Sequence, residues 1–398
     1  MNLVENDKTV MLVRVLKVIK RDSLQCHRLL RGAVAMWLTL AISLSAMGQQ
    51  NNFTTFKINP SQWAAFDHLT GDLATLDVEQ SEVYIYPRAY FDGDKTAVRG
   101  PWRAHEGQEA THLAFAYTPE KTWVAVALGK ERNVVLLDSQ TVEPDTMIRL
   151  GNGQPITELN SVTAPASSKL YYQSDQHTGL INLKRRSDEG LLDLRPARAN
   201  ISSGLIPSHD GSVMYCRDVA VAVKGTSASM LHRSNETIAS RVIADKNQLF
   251  ATTGFAVLAA DYSRPITEFD FLIYDFAADG SVIAGINHTK NDPIITLCIA
   301  SMSNDKTLTR VPLPSLFSKS LPTGHRKVGS NDFKGHYAVF VDPQAKRILT
   351  FHSGWVASYD YSNLELPPPN LKAAQSKIEF PDEIIIGEHY EIPISLPD

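Results

Sequence analysis

Thr118–Asp138 reads TPEKTWVAVALGKERNVVLLD, and this stretch decides the fold. A tight turn, TPEKT, leads into the apolar run ending at Leu128. A polar turn then leads into NVVLLD, so two strands of four to six pleated residues face each other across a few polar residues. Their β-branched and aromatic side chains suit a pleated surface. The same kind of text continues outward in both directions. KLYYQS, LINLK, SVMYCR, FLIYDF, SVIAGI, YAVFV and RILTF are all short apolar runs bounded by Gly, Asp, Asn, Ser and Pro, from about Phe56 to Tyr361. Helical periodicity of useful length is scarce in this span, so the chain is expected to be all-β.

The turns recur as well: TPEKT at Thr118, APASSK at Ala164, SHDGS at Ser208, AADGS at Ala277 and DPQAKR at Asp342. Pro119, Pro165 and His209 are spaced 46 and 44 residues apart, and the next two intervals are uneven at 69 and 65. One turn is therefore disguised, near Asp245 or Asp305. A period of roughly 45 residues built of short strands is the mark of a β-propeller. One four-stranded sheet cannot bury both its faces, whereas radially arranged sheets cover one another and leave only short edges. Counting a weaker first unit around Asp67 to Tyr90, we expect six or seven four-stranded blades, with FTTFKI after Gln50 supplying a strand to the last. About 300 residues of similar strands exceed one ordinary β-sandwich.

VAVALGKERNVVLLDSQTVEPDTMIRLG, starting at Val124, resembles the YVTN class of bacterial propeller repeat: a valine-rich strand, an Asp, a variable turn and a closing Gly. His105 and Asp138, bracketing one unit, are also similar to a WD-type repeat, with Leu137 in the place of Trp. The resemblance implies an exported propeller of the YVTN or WD-repeat-like superfamily. It covers roughly Leu113 to Lys184 well and is recognisable at SHDGS and AADGS.

At the N-terminus, Arg28 and Arg31 precede an apolar run from Ala33 to Met47, followed by Gly48 and polar residues. This is the pattern of a signal peptide over residues 1–48, with cleavage between Gly48 and Gln49. A run of about 15 residues falls short of the roughly 20 that span a bilayer, so no stable membrane span is expected after cleavage. Removing residues 1–48 takes the net charge from −4 to about −8, which disfavours a general nucleic-acid binder, because phosphate neutralisation needs a basic face. The expected location is the periplasm or the cell exterior, as a monomer. Cys26 would be lost, leaving Cys216 and Cys298 in apolar strands as two separate buried thiols or one disulfide.

The propeller is expected over residues 49–363. LELPPPNL at 364–371 reads as a stiff extended linker. Residues 372–398 resemble the first strands of a cadherin-like or immunoglobulin-like module, either truncated or packed on the propeller.

Chemical motifs are few. His105, Glu109 and His112 would share a helix face and ligate zinc, but Gly107 and Gly100-Pro101 argue for a loop, so no metal or cofactor is assigned. Asp270, Asp275 and Asp279 lack the spacing of a calcium loop. Propellers gather variable loops around a central channel, and loop residues that could converge there are Asp175, His177, His209, Arg217 and Asp218. The expected function is a non-catalytic binding or scaffolding module for a protein or cell-envelope component. The alternative is a hydrolase, lyase or oxidoreductase acting on a sugar, lactone or similar small molecule at the channel.

Overall fold

The computed structural model describes residues 53–151, 155–174, 177–195, 206–216, 219–233, 242–246, 249–252, 255–258, 265–287, 294–301, 304–318, 338–366, 377–378 and 394–395. The expected signal peptide and its Gly48–Gln49 junction lie outside these residues.

Seven four-stranded antiparallel sheets make up the described fold. Blade 1 holds β2 (Trp63–Phe66), β3 (Leu73–Asp77), β4 (Glu82–Tyr86) and β5 (Arg99–Arg103). Blade 2 holds β6 (Ala110–Tyr117), β7 (Thr122–Leu128), β8 (Asn133–Asp138) and β9 (Pro144–Arg149). Blade 3 holds β10 (Glu158–Ser161), β11 (Lys169–Ser174), β12 (His177–Asn182) and β13 (Ser187–Leu191). Blade 4 holds β14 (Ile206–Pro207), β15 (Val213–Cys216), β16 (Val219–Lys224) and β17 (Ser227–Arg233). Blade 5 holds β18 (Val242–Lys246), β19 (Leu249–Thr252), β20 (Phe255–Leu258) and β21 (Pro265–Glu268). Blade 6 holds β22 (Leu272–Phe276), β23 (Ile283–Asn287), β24 (Thr296–Ser301) and β25 (Asn304–Pro312). Blade 7 combines β26 (Ala338–Asp342), β27 (Arg347–His352) and β28 (Trp355–Asp360) with β1 (Phe53–Lys57), the first described strand of the chain.

The two strands that opened the sequence reading show why the sheets stack. In β7, Val124, Val126 and Leu128 pack with blade 1, while Trp123, Ala125 and Ala127 pack with blade 3. Alternate side chains of a strand point to opposite faces, so a run that is apolar at every position is covered on both. The small alanines leave room for Leu170 and Tyr172 of blade 3, both fully buried. Blades 3 and 4 are joined in the same way through Val162, Tyr171, Leu180, Met214 and Val221, and blades 6 and 7 through Ile286, Leu297, Val339 and Ile348.

The ring closes through β1, whose residues pair in regular register with β28 from Phe53↔Tyr359 to Lys57↔Trp355. Phe56 and Ile58 then join Phe66, Leu73, Tyr86, Leu349 and Val356 in a core shared by blades 7 and 1. FTTFKI thus fills the place expected of it. In each of the other six blades the third-to-fourth strand pairing carries a register shift, for example between Leu136 and Leu137 or Leu180 and Ile181. Such bulges bend an outer strand and blunt its exposed edge against pairing with another chain.

The blade count settles at seven. The disguised first-to-second-strand turn lies between Lys246 and Leu249, next to Asp245, whereas Asp305 falls within β25. The uneven interval before Pro343 instead reflects the long connection from β25 to β26, which holds one helical turn at Ser315–Ser318. Leu364 and Leu366 pack on the core between blades 6 and 7. Of the C-terminal segment, Lys377–Ile378 pairs antiparallel with Ile394–Ser395, and the rest lies outside the described residues.

Candidate functional site

A four-stranded meander puts its first-to-second and third-to-fourth turns at one end and its second-to-third turn at the other. All blades run alike, so the ring has a hairpin face and an opposite face. His209 sits in the first-to-second turn of blade 4, on the hairpin face, where its Nδ1 lies 2.6 Å from Thr163 Oγ1 and its carbonyl accepts from Ala164 N–H. His177 opens β12 at the opposite end, paired with Ser174 and exposed. These two candidates are therefore not brought together, and Asp175, Arg217 and Asp218 lie outside the described residues. His209 serves as a contact between blades 3 and 4.

The other motifs resolve in the same manner. His105 lies in the loop before β6, Glu109 pairs with Lys130 at 2.6 Å, and His112 is buried in β6 with its Nδ1 accepting from Leu159 N–H at 3.1 Å. Asp270 is exposed and bound to Thr307 and Arg310, Asp279 caps the turn before Ser281, and Asp275 is buried. Among the described residues no group of three or more His, Cys, Asp or Glu could hold a metal ion. Cys298 is a free thiol in β24, pushed up to about 11 by burial; of Cys216 only the backbone is described.

Chemistry concentrates instead where the ring closes. The third-to-fourth connection of blade 1 contains α1 (Arg88–Phe91), a single helical turn that starts after Pro87. As the N-cap, Pro87 is extended at ψ 160° and lacks an N–H that would go unused there. From this turn Arg88 reaches blade 7 and donates twice to Asp342, at 3.0 Å each, and once to Gln344. Arg347 of blade 7 returns the gesture to Asp92, just past α1, at 2.7 Å. Gly71 makes this possible, because it has φ +79° and a Cβ there would lie 2.4 Å from Arg88 Nε. On the other flank of blade 1, Arg99 donates to Asp72 and to the Ser139 carbonyl of blade 2.

Beneath α1 lies a groove of about 570 Å³ along the outer strand of blade 7, lined by β1 and by Tyr86, Tyr90, Lys95 and Val98. Tyr90 is anchored by its hydroxyl, which donates to the Lys57 carbonyl at 3.0 Å. Tyr86 accepts from Asn59 N–H at 2.8 Å, and burial pushes its phenol up to about 12. Into the ring faces so presented comes the Lys95 ammonium, 3.6 Å from the Phe56 centroid and 4.2 Å from that of Tyr90. These are cation–π distances. Desolvation beside the rings lowers the Lys95 pKa.

A second polar cluster lies nearer the channel. His68 Nε2 of blade 1 is 3.4 Å from Asp275 Oδ2 of blade 6, and the same oxygen accepts from Val341 N–H of blade 7 at 2.8 Å. Next to His68, Asp67 accepts from Leu69 N–H, Thr70 and the fully buried Tyr117 hydroxyl. Burial raises the Asp67 pKa despite those three donors.

No protein-family model and no curated protein matches the chain. Among solved structures it is similar to the β-propeller domain of Cps50 (Swd1) from Myceliophteria thermophila, at 12% identity and a TM-score of 0.50, over 78% of this chain and 98% of that one. A chain of a mitotic checkpoint complex matches at 14% identity and a TM-score of 0.49, over 77% and 90%. The likeness is one of fold. The first of these agrees with the closed β-propeller read from the strand pairing.

Sequence reading missed the closure groove, because PRAYFDGDK has neither strand nor helix periodicity. Its one signal was an aromatic doublet, Tyr90–Phe91, inside what reads as a polar loop.

Proposed function

We propose that the protein is an exported β-propeller of the YVTN or WD-repeat-like kind, acting as a non-catalytic binding or scaffolding module for a protein or cell-envelope partner outside the cytoplasm. The observation that carries this reading is the groove at the ring closure, where Phe56, Tyr86, Tyr90 and Val98 stand beside Thr55, Asn59 and the accessible charges of Lys57 and Lys95. Aromatic surface with a few polar anchors is the chemistry of recognition. By contrast, the arginines and aspartates around the groove are tied to one another across blades. Export is compatible with closure, since cleavage before Gln49 leaves β1 attached to the mature chain. The end segment from 372 is read as the start of an immunoglobulin-like or cadherin-like module.

The experiment has two parts. Mass spectrometry of the protein from the exported fraction should find a mature N-terminus at Gln49. Cross-linking from a photoreactive residue at Thr55 or Val98 should then trap a partner that a probe on the exposed edge of blade 3 does not. A chain retained in the cytoplasm, or cross-links equal at both positions, overturns the reading.

The small-molecule enzyme has one observation in its favour, the His68–Asp275 pair beside the buried Asp67. Turnover of a lactone or glycoside panel that is abolished by His68→Ala would replace the binding-module reading.

A further inference from the structure

We infer that the Phe56–Tyr90 groove is a recognition site for a methylated ammonium group on a lysine side chain of a partner polypeptide, and that Lys95 occupies it in the unliganded protein. The inference rests on the protein-binding reading above and names what the groove would recognise.

Three observations carry it. Two aromatic rings from different blades, Phe56 on β1 and Tyr90 on α1, present their faces to one cation at 3.6 and 4.2 Å. Their geometry is held without that cation: Phe56 packs edge-on against Phe91 at 5.3 Å, Tyr90 packs edge-on against Tyr86 at 5.0 Å, and the Tyr90 hydroxyl is tied to Lys57. The occupant also commits only part of its hydrogen-bonding capacity to the protein. A primary ammonium has three N–H donors, and the contact Lys95 makes besides the rings is a 3.3 Å bond to the Tyr90 carbonyl. A methylated ammonium carries its charge on a larger, weakly hydrated surface and needs fewer hydrogen bonds, so it exploits aromatic faces better.

Lys95 can leave. It is exposed and sits two residues past Gly93, whose φ is +117° and whose surroundings are open. As a tethered competitor, Lys95 acts at an effective concentration on the order of millimolar. An unmodified lysine therefore gains little by replacing it, whereas a trimethylated one gains the difference in cation–π energy.

The test uses the full mature protein and four probes in calorimetric titrations: choline, its uncharged isostere 3,3-dimethylbutanol, a short peptide carrying trimethyl-lysine, and the same peptide with plain lysine. In Lys95→Ala, choline and the trimethyl-lysine peptide should bind about tenfold more tightly than to the unaltered protein. The isostere and the plain peptide should not bind. Tyr90→Leu placed on Lys95→Ala keeps an apolar wall but removes the ring face, and should abolish binding. Equal binding of choline and the isostere, or no binding by a Lys95→Ala protein with an unchanged melting curve, overturns the inference. Partner cross-linking at Thr55 or Val98 that persists after such a failure would leave the binding-module reading standing.

Discussion

Two aspartates show how position alone gives the same side chain opposite effects on stability. Asp67 is buried at the end of β2, and burial raises its pKa above the ordinary 3.8 even with three hydrogen bonds opposing the shift. A raised folded-state value means the fold binds the proton more tightly than the unfolded chain, so this contribution is present below the unfolded value and lost as pH rises through the folded one. Asp145 has the reverse sign. The Trp123 indole donates to it at 2.8 Å, Arg186 and Lys121 lie close, and its pKa is lowered. That contribution is present above the unfolded value and fades as pH falls. Asp67→Asn should therefore gain stability relative to the natural protein as pH rises from about 3 to neutral, while Asp145→Asn should lose it over the same range. Denaturant midpoints at a series of pH values give both slopes, and parallel slopes would refute the assignment. Gly179 offers a test of packing at the same scale. It faces Tyr172 across β11 and β12, and a Cβ there would lie 2.1 Å from the buried ring. Gly179→Ala should cost about 1–3 kcal/mol, with the Tyr172 bond to Asp188 disturbed. An unchanged melting temperature would show that the ring moves aside freely.

At the scale of elements, α1 acts as a clip between the first and last blades. Arg88 is 26% exposed and Asp342 only 2%, so removing the arginine strands a carboxylate that Arg347 approaches only to 3.5 Å. Arg88→Ala should cost about 2–3 kcal/mol, less than a fully buried pair because Arg88 is partly solvated. Gly71→Ala should give at least a similar loss, from strain at φ +79° and from pushing the guanidinium off its partner, and the double variant should lose clearly less than the sum of the two. Additive losses would mean that Gly71 serves its own turn and not Arg88. The strands themselves were legible because each carries its instruction locally: WVAVAL, from Trp123 to Leu128, is apolar at every position, and only a strand covered on both faces tolerates that. Blade 5 was not legible, since VIADK, LFAT and FAVL are short and the turn between the first two lacks the proline or Asp-Gly found elsewhere. The clip was invisible for a different reason. Arg88 and Asp342 lie 254 residues apart, and nothing in either neighbourhood announces the other. Among the loop candidates, chain position suggested convergence for His177 and His209. Alternation of strand direction puts their ends of the blades on opposite faces.

For the whole molecule, the consequence of closure is that no blade has an unpartnered side. Opening the ring at β1 would return the fold to a linear array, in which stability is a sum of blades and nearest-neighbour interfaces. Deleting Phe53–Lys57 unpairs the outer edge of β28 and removes Phe56 from the core shared by blades 7 and 1. Truncating that phenylalanine alone should cost about 3–5 kcal/mol. The damage should be local first. Blades 2 to 6 keep both interfaces intact, whereas blades 1 and 7 are left with the α1 clip and a thinned shared core, so hydrogen exchange in the deleted protein should accelerate most over Leu73–Tyr86 and Arg347–Asp360 and least over Thr122–Leu128 and Lys169–Ser174. The edge of β28 is left without the bulge that blunts the outer pairing of the other six blades, so the shortened protein should also self-associate in proportion to its concentration. A uniform rise in exchange across all blades would show that closure makes the ring a single cooperative unit, and the neighbour-by-neighbour account would have to be abandoned.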